Sequence, residues 1–234
     1  MKAVASALEA RAVSARSAEG EIISELTVAF VAGRFHVLRG PAGGGKALLL
    51  RLLGLLHLPS AGEVFVQGSP TRALREDARA ELRSQRFGFV FAAPFLLRSF
   101  TVIENVAMPL FKVSQVTPDE ARRRTESLLA FVGLAEAAEA VGEELSLLGQ
   151  YRVAVARGLV NEPSFLLVED LDGALAGDDL HAFVELLHRA RSEFGTTIIA
   201  TASPGLPLLW PHRVLDVAGG AIIGDVELLP EMGS

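Results

Sequence analysis

The chain has 234 residues, 28 acidic against 22 basic side chains for a net charge of −6, and is 50% apolar and 21% charged. Such a chain is too hydrophobic for disorder and suits one large domain, or a domain with a lobe; its acidic excess argues against nucleic acid or anionic lipid as a partner, since both need a dense basic surface. Cysteine is absent, which excludes disulfides, thiolate metal sites and a cysteine nucleophile and is compatible with a reducing compartment.

At the N-terminus Lys2 precedes a few small apolar residues, but Glu9 and Arg11 follow too early for a secretory apolar region, so the start reads as mature and cytoplasmic. Arg34-Phe35-His36-Val37-Leu38-Arg39 reads as a strand, Gly40 to Gly45 as a glycine-rich turn, and Ala47 to about His57 as a helix. Leucines on every side of that helix predict burial against a sheet. Arg51 and His57 interrupt this richest apolar segment, so no membrane span is expected. Glu63 to Gly68 alternates toward a strand and turn, and residues 71–86 form a charged helix or loop.

Residues 118–140 carry the apolar faces of amphipathic helices through Leu128, Leu129, Phe131 and Val132 and predict a lateral lobe. Buried strands are expected at Phe165 to Val168 and Thr196 to Thr201, and a hairpin from Val214 to Leu228. The alternation of strands and helices predicts a mainly parallel sheet covered by helices. His36, His57, His181, His188 and His212 are scattered. Only His181 and His188 can share a helix face, which is too little for zinc.

Gly40-Pro41-Ala42-Gly43-Gly44-Gly45-Lys46 satisfies the first seven positions of the phosphate-loop pattern, between a strand and a helix as that pattern requires. Glycines let successive N–H groups converge on phosphate oxygens, the helix N-terminus adds partial positive charge, and a lysine can reach the terminal phosphates. The eighth position is Ala47, where serine or threonine would offer a hydroxyl to magnesium.

With the phosphate loop stand Pro59-Ser60-Ala61-Gly62-Glu63-Val64, Phe95-Leu96-Leu97, Thr101-Val102-Ile103-Glu104-Asn105-Val106, Arg152-Val153-Ala154-Val155-Ala156-Arg157 and Asn161-Glu162-Pro163 before Phe165 to Asp170. In that order these segments resemble the ATP-binding subunits of ABC transporters, of the lipoprotein-release and macrolide-export type, nearly end to end. The resemblance implies an α/β fold: a P-loop NTPase (RecA-like) core of ABC ATPase type with an antiparallel β subdomain and a helical subdomain. It implies one nucleotide-binding domain over residues 1–234, with residues 1–92 and 156–234 as the core and 93–155 as the helical part.

The departures from the family fall on its chemistry. Ala92 stands where the family has a glutamine that touches magnesium and water. The LSGGQ signature appears as Leu145-Ser146-Leu147-Leu148-Gly149, with leucines where backbone must approach a γ-phosphate. Glu169 holds the position of the magnesium aspartate and Asp170 that of the catalytic glutamate; a base one methylene shorter sits outside the tolerance of a positioned site. Ala202 holds the position of the histidine that senses the γ-phosphate, Ala176 that of an aspartate after Gly173-Ala174-Leu175, and no aromatic residue before Phe30 offers a ring to stack on adenine.

The joint pattern predicts a pseudo-ATPase: a subunit that dimerises, docks on a membrane permease at the inner face of the cell membrane and binds ATP weakly, with magnesium binding impaired. The alternative is a working, slow ATP hydrolase powering an ABC exporter or lipoprotein-release system. For docking, the resemblance implies a groove near Phe95 to Leu110 that takes a short helix of the permease; packing inside the lobe is an equal reading of the same apolar residues. Homodimer and heterodimer are both open.

Overall fold

In the computed structural model, residues 6–112, 116–206 and 211–228 are described; Lys2 lies outside them. In chain order the strands and helices are β1 (Ser6–Arg16), β2 (Ile22–Val31), β3 (Phe35–Arg39), α1 (Lys46–Leu53), β4 (Ala61–Val66), β5 (Ser69–Pro70), α2 (Glu76–Arg86), β6 (Phe87–Val90), α3 (Val102–Ala107), α4 (Pro118–Phe131), α5 (Leu147–Leu159), β7 (Phe165–Val168), α6 (Gly177–Phe194), β8 (Thr197–Ala202), β9 (Arg213–Ala218) and β10 (Ala221–Glu227). The chain divides into a unit of Met1–Glu81 with Thr197–Ser234 and a unit of Leu82–Thr196.

The first unit holds two sets of strands. The antiparallel set runs β2-β1-β4-β5. Leu8 pairs with Phe30 and Val66, and Ala10 with Val28 and Val64. All six are buried, so alternate positions of each strand form one apolar face. In the second set β3 lies between β8 and β9, parallel to both, and β9 turns through Gly219 and Gly220, both with positive φ, into antiparallel β10. That is the expected tail hairpin. Along β3 only Arg39 is not buried, and β8 is buried throughout. Continuous apolar runs of this kind mark strands covered on both faces.

Helix α1 begins as expected but ends at Leu53, short of His57. The Gly54 N–H bonds the Leu50 carbonyl at 2.9 Å and Leu55 has φ 58, which turns the chain away. Leu48, Leu49, Leu50, Leu52, Leu53 and Leu55 are buried, whereas Leu56, on the far side of that reversal, is 42% exposed. Burial of the leucines on every side therefore stops with the helix.

In the second unit β6 and β7 pair in parallel, with Phe87 opposite Phe165 and their rings 5.1 Å apart. Helix α4 has the start signals of its sequence: Thr117 accepts from the Glu120 N–H, and Pro118, Asp119 and Glu120 occupy the first turn. It ends before Gly133, so the amphipathic stretch expected to reach residue 140 closes in a short 3-10 turn at Ala135–Ala137. Along α6, Phe183, Leu186, Leu187 and Ala190 are buried at helical spacing.

Candidate functional site

Within the first unit, the glycine-rich loop leaves β3 at Arg39 and enters α1 at Lys46. Gly40 N–H bonds the Ala202 carbonyl at 3.2 Å, and a Cβ built on Gly40 would stand 2.0 Å from the Val217 carbonyl oxygen. Only glycine lets β9 approach this closely. Gly45, the N-cap of α1, has φ 98 and no side-chain cap. The first N–H groups of α1 are therefore not satisfied by a side chain of the N-cap residue, and the positive end of the helix faces the loop. The loop is braced from within: Gly44 N–H and Lys46 Nζ reach the Pro41 carbonyl at 3.2 and 3.3 Å, and the Gly44 carbonyl accepts from Gly220 N–H at 3.0 Å.

Directly before the loop, Arg39 on β3 meets Asp216 on β9 through two parallel bonds of 2.6 and 2.9 Å. That bond raises the guanidinium above its ordinary range and lowers the carboxylate below its own. Ala202 is the last residue of β8 and has no exposed surface. Its carbonyl, not its side chain, serves the loop.

Within the second unit, Glu169 and Asp170 follow β7. Glu169 N–H continues the β6 ladder to the Val90 carbonyl at 2.8 Å, and its side chain is half-buried. Asp170 is exposed with φ 53, and its carboxylate lies over Gly173 with Oδ2 1.8 Å from where a Cβ would stand there. Ala176 is the N-cap of α6 and makes no side-chain cap bond. Ser146 caps α5 by accepting from Gly149 N–H at 3.2 Å; Leu147 is 42% exposed and Leu148 half-buried. Ala92 is exposed after β6.

Among the described residues no group of three or more His, Cys, Asp or Glu is placed to hold a metal ion. Ala47 and Ala92 contribute methyl groups and no side-chain oxygen, while Glu169 carries a carboxylate.

The apolar segment Phe95 to Leu110 divides. Val102, Val106 and Leu110 are buried, while Phe95, Leu97, Phe100 and Met108 are exposed by 67%, 37%, 39% and 37%. Packing claims the first set and an open face the second. Sequence reasoning passed over Asp216, Gly220 and Tyr151. The register of β9 with β3 reveals Asp216, the turn after β9 reveals Gly220, and the chain's lone tyrosine, on α5, signalled the third.

The phosphate-loop turn of the first unit stands between a buried strand and α1, as in a nucleotide-binding loop. Residues 23–172 match the family described as ABC transporter. The chain belongs to the ABC transporter family. It is similar to the lipoprotein-releasing system ATP-binding protein LolD of Bordetella pertussis, 38% identical over 80% of each chain, and to that of Gluconobacter oxydans, 39% identical over 84% of this chain and 87% of the relative. Among solved structures, the dimeric bacterial ABC transporter cassette MJ0796 matches with a TM-score of 0.83 and 27% identity over 95% of this chain and 99% of that one. Another structure of that cassette, bound to ADP and Pi after hydrolysis, matches with a TM-score of 0.82 and 26% identity, over the same shares of each chain. The expected P-loop NTPase core of ABC type is the fold observed. These ABC relatives are named for ATP binding and speak better for a working ATP subunit than for a silent one.

Proposed function

We propose that this chain is the ATP-binding subunit of a lipoprotein-release type ABC transporter, held at the cytoplasmic face of the membrane by a permease, and that it hydrolyses ATP slowly. The observation that carries the reading is the intact phosphate loop, Gly40 to Lys46, braced by β9 and the Gly219-Gly220 turn. The identity to LolD proteins supports the same assignment. Backbone N–H groups of the loop and the N-terminus of α1 bind the phosphates, Lys46 neutralises the terminal charge, and Asp170 is the carboxylate left to orient water. The donor set is poor for magnesium, and no step is assigned to the ion.

A second reading, a silent subunit that docks and dimerises without turnover, is favoured by the methyl groups at Ala47, Ala92, Ala176 and Ala202 and by the bulk of Leu147 and Leu148. In either reading the exposed Phe95, Leu97, Phe100 and Met108 receive an amphipathic helix of the permease. No described helix is long and apolar enough to cross a membrane.

Phosphate release by the chain with its permease separates the readings. A low rate that falls at least tenfold in Lys46→Ala is expected; equal release from both proteins establishes the silent subunit. By calorimetry, ATP is expected to bind with a dissociation constant of about 1 μM or weaker, near −8 kcal/mol, because no aromatic ring precedes Phe30 to stack on the base; sub-micromolar binding would overturn this.

A further inference from the structure

The geometry points to Tyr151 as a positioning residue: its hydroxyl, together with the Arg157 guanidinium, holds residues 92–95 in one fixed shape against α5, so that Phe95 stands outward before any partner arrives. The inference rests on the docking reading only for what Phe95 later meets.

Between β6 and α3 the chain runs from residue 91 to 101 without helix or strand. A connection of that length inside a compact unit is either functional or disordered. Here its backbone is gripped by side chains from elsewhere in the second unit. Tyr151 donates to the Ala92 carbonyl at 2.5 Å. Arg157 donates through Nη2 to the Pro94 carbonyl at 2.7 Å and through Nη1 to the Phe95 carbonyl at 2.8 Å. At the far end, buried Asn105 accepts from Leu97 N–H at 2.7 Å and donates to the carbonyls of Leu97, Phe100 and Thr101 at 3.2, 3.2 and 2.9 Å.

Phe95 has φ 45, a conformation that bulky side chains avoid and that persists only where the surroundings over-determine it. Its own side chain is 67% exposed and meets the Phe91 ring edge-on at 6.0 Å. Burial of that side chain therefore does not hold the backbone there. The Arg157 fork does, by binding the carbonyls of both Pro94 and Phe95. A planar guanidinium suits consecutive carbonyls, where a lysine ammonium would serve them as a mobile point charge.

Tyr151 is 3% exposed, and its ring lies 5.4 Å from that of Phe183. A hydroxyl taken out of water in this way must keep its partner. Ordering the loop within the free chain removes from docking the cost of fixing it then.

The test uses the full chain alone, so its failure leaves the docking reading standing, and failure to bind a permease leaves the clamp standing. Hydrogen exchange is followed by amide in wild type, Tyr151→Phe and Arg157→Lys. Loss of one hydrogen bond is expected to speed exchange at Leu97, a loop residue whose N–H bonds the Asn105 side chain, by about three- to tenfold, with β7 and α6 unchanged. Unchanged exchange at that amide, or equal acceleration throughout the chain, overturns the proposal. Because the chain has one tyrosine, its Raman doublet reports this hydroxyl directly. The doublet should show a strong donor in wild type and a weaker one in Arg157→Lys; identical spectra would mean that the two side chains do not act on one loop, and would also overturn it.

Discussion

His36 has no exposed surface, packs edge-on against Phe30 and donates from Nε2 to the Val31 carbonyl at 3.1 Å, while its buried Nδ1 has no hydrogen-bond partner among the described residues. Burial, foremost, pushes the imidazole down to about 4, and the nearby charges of Arg213 and Arg34 act in the same direction. The unfolded chain, titrating near 6.5, binds the proton first. Stability is therefore complete above about pH 6.5 and falls as pH drops toward 4, by about 3 kcal/mol when the loss is full. Urea unfolding at pH 7 and pH 4.5 should show this loss in wild type and a loss smaller by about 2 kcal/mol in His36→Leu, which has no group to protonate. Equal losses would place the acid sensitivity elsewhere.

Among the elements, α5 carries the greatest variety of roles. Its first turn holds Leu147, Leu148 and Gly149, its middle is core through Val153, Ala154, Val155 and Ala156, and Tyr151 and Arg157 bond the loop after β6. Ser146 is legible in sequence as a signature serine, and the structure adds a cap bond to Gly149 N–H. Ser146→Ala should cost about 1 kcal/mol, read as a lower urea midpoint at unchanged slope, and Ser146→Gly only a few tenths. If neither substitution moves the midpoint, the cap contributes nothing measurable to stability.

Across the whole molecule, the positions at which the sequence reading marks departures lie in both units: Ala47 and Ala202 in one, Ala92, Leu147, Leu148, Glu169, Asp170 and Ala176 in the other. The combined variant Ala47→Ser, Ala92→Gln, Leu147→Gly and Leu148→Gly should raise phosphate release at least tenfold, since each change restores a polar group or a close backbone approach. Ala202→His is left out because that methyl group is fully buried and a ring has no room. No gain from the combined variant, in a protein that still folds and binds ATP, would mean that the four restored positions do not limit the rate.

Local chemistry was sufficient for the strand at Phe165–Val168, the phosphate loop, the start of α1 and the tail hairpin, because glycine placement, apolar runs and helix-capping residues act over a few neighbours. The family motifs in their order carried the fold class. What lay beyond the sequence depends on residues far apart in the chain: Arg39 with Asp216, Gly220 under the phosphate loop, Tyr151 at the Ala92 carbonyl, and the division of Phe95 to Leu110 into buried and open sets. Side-chain type reports what a residue can bond, whereas the partner and the depth of burial are set only when distant strands and helices close around it.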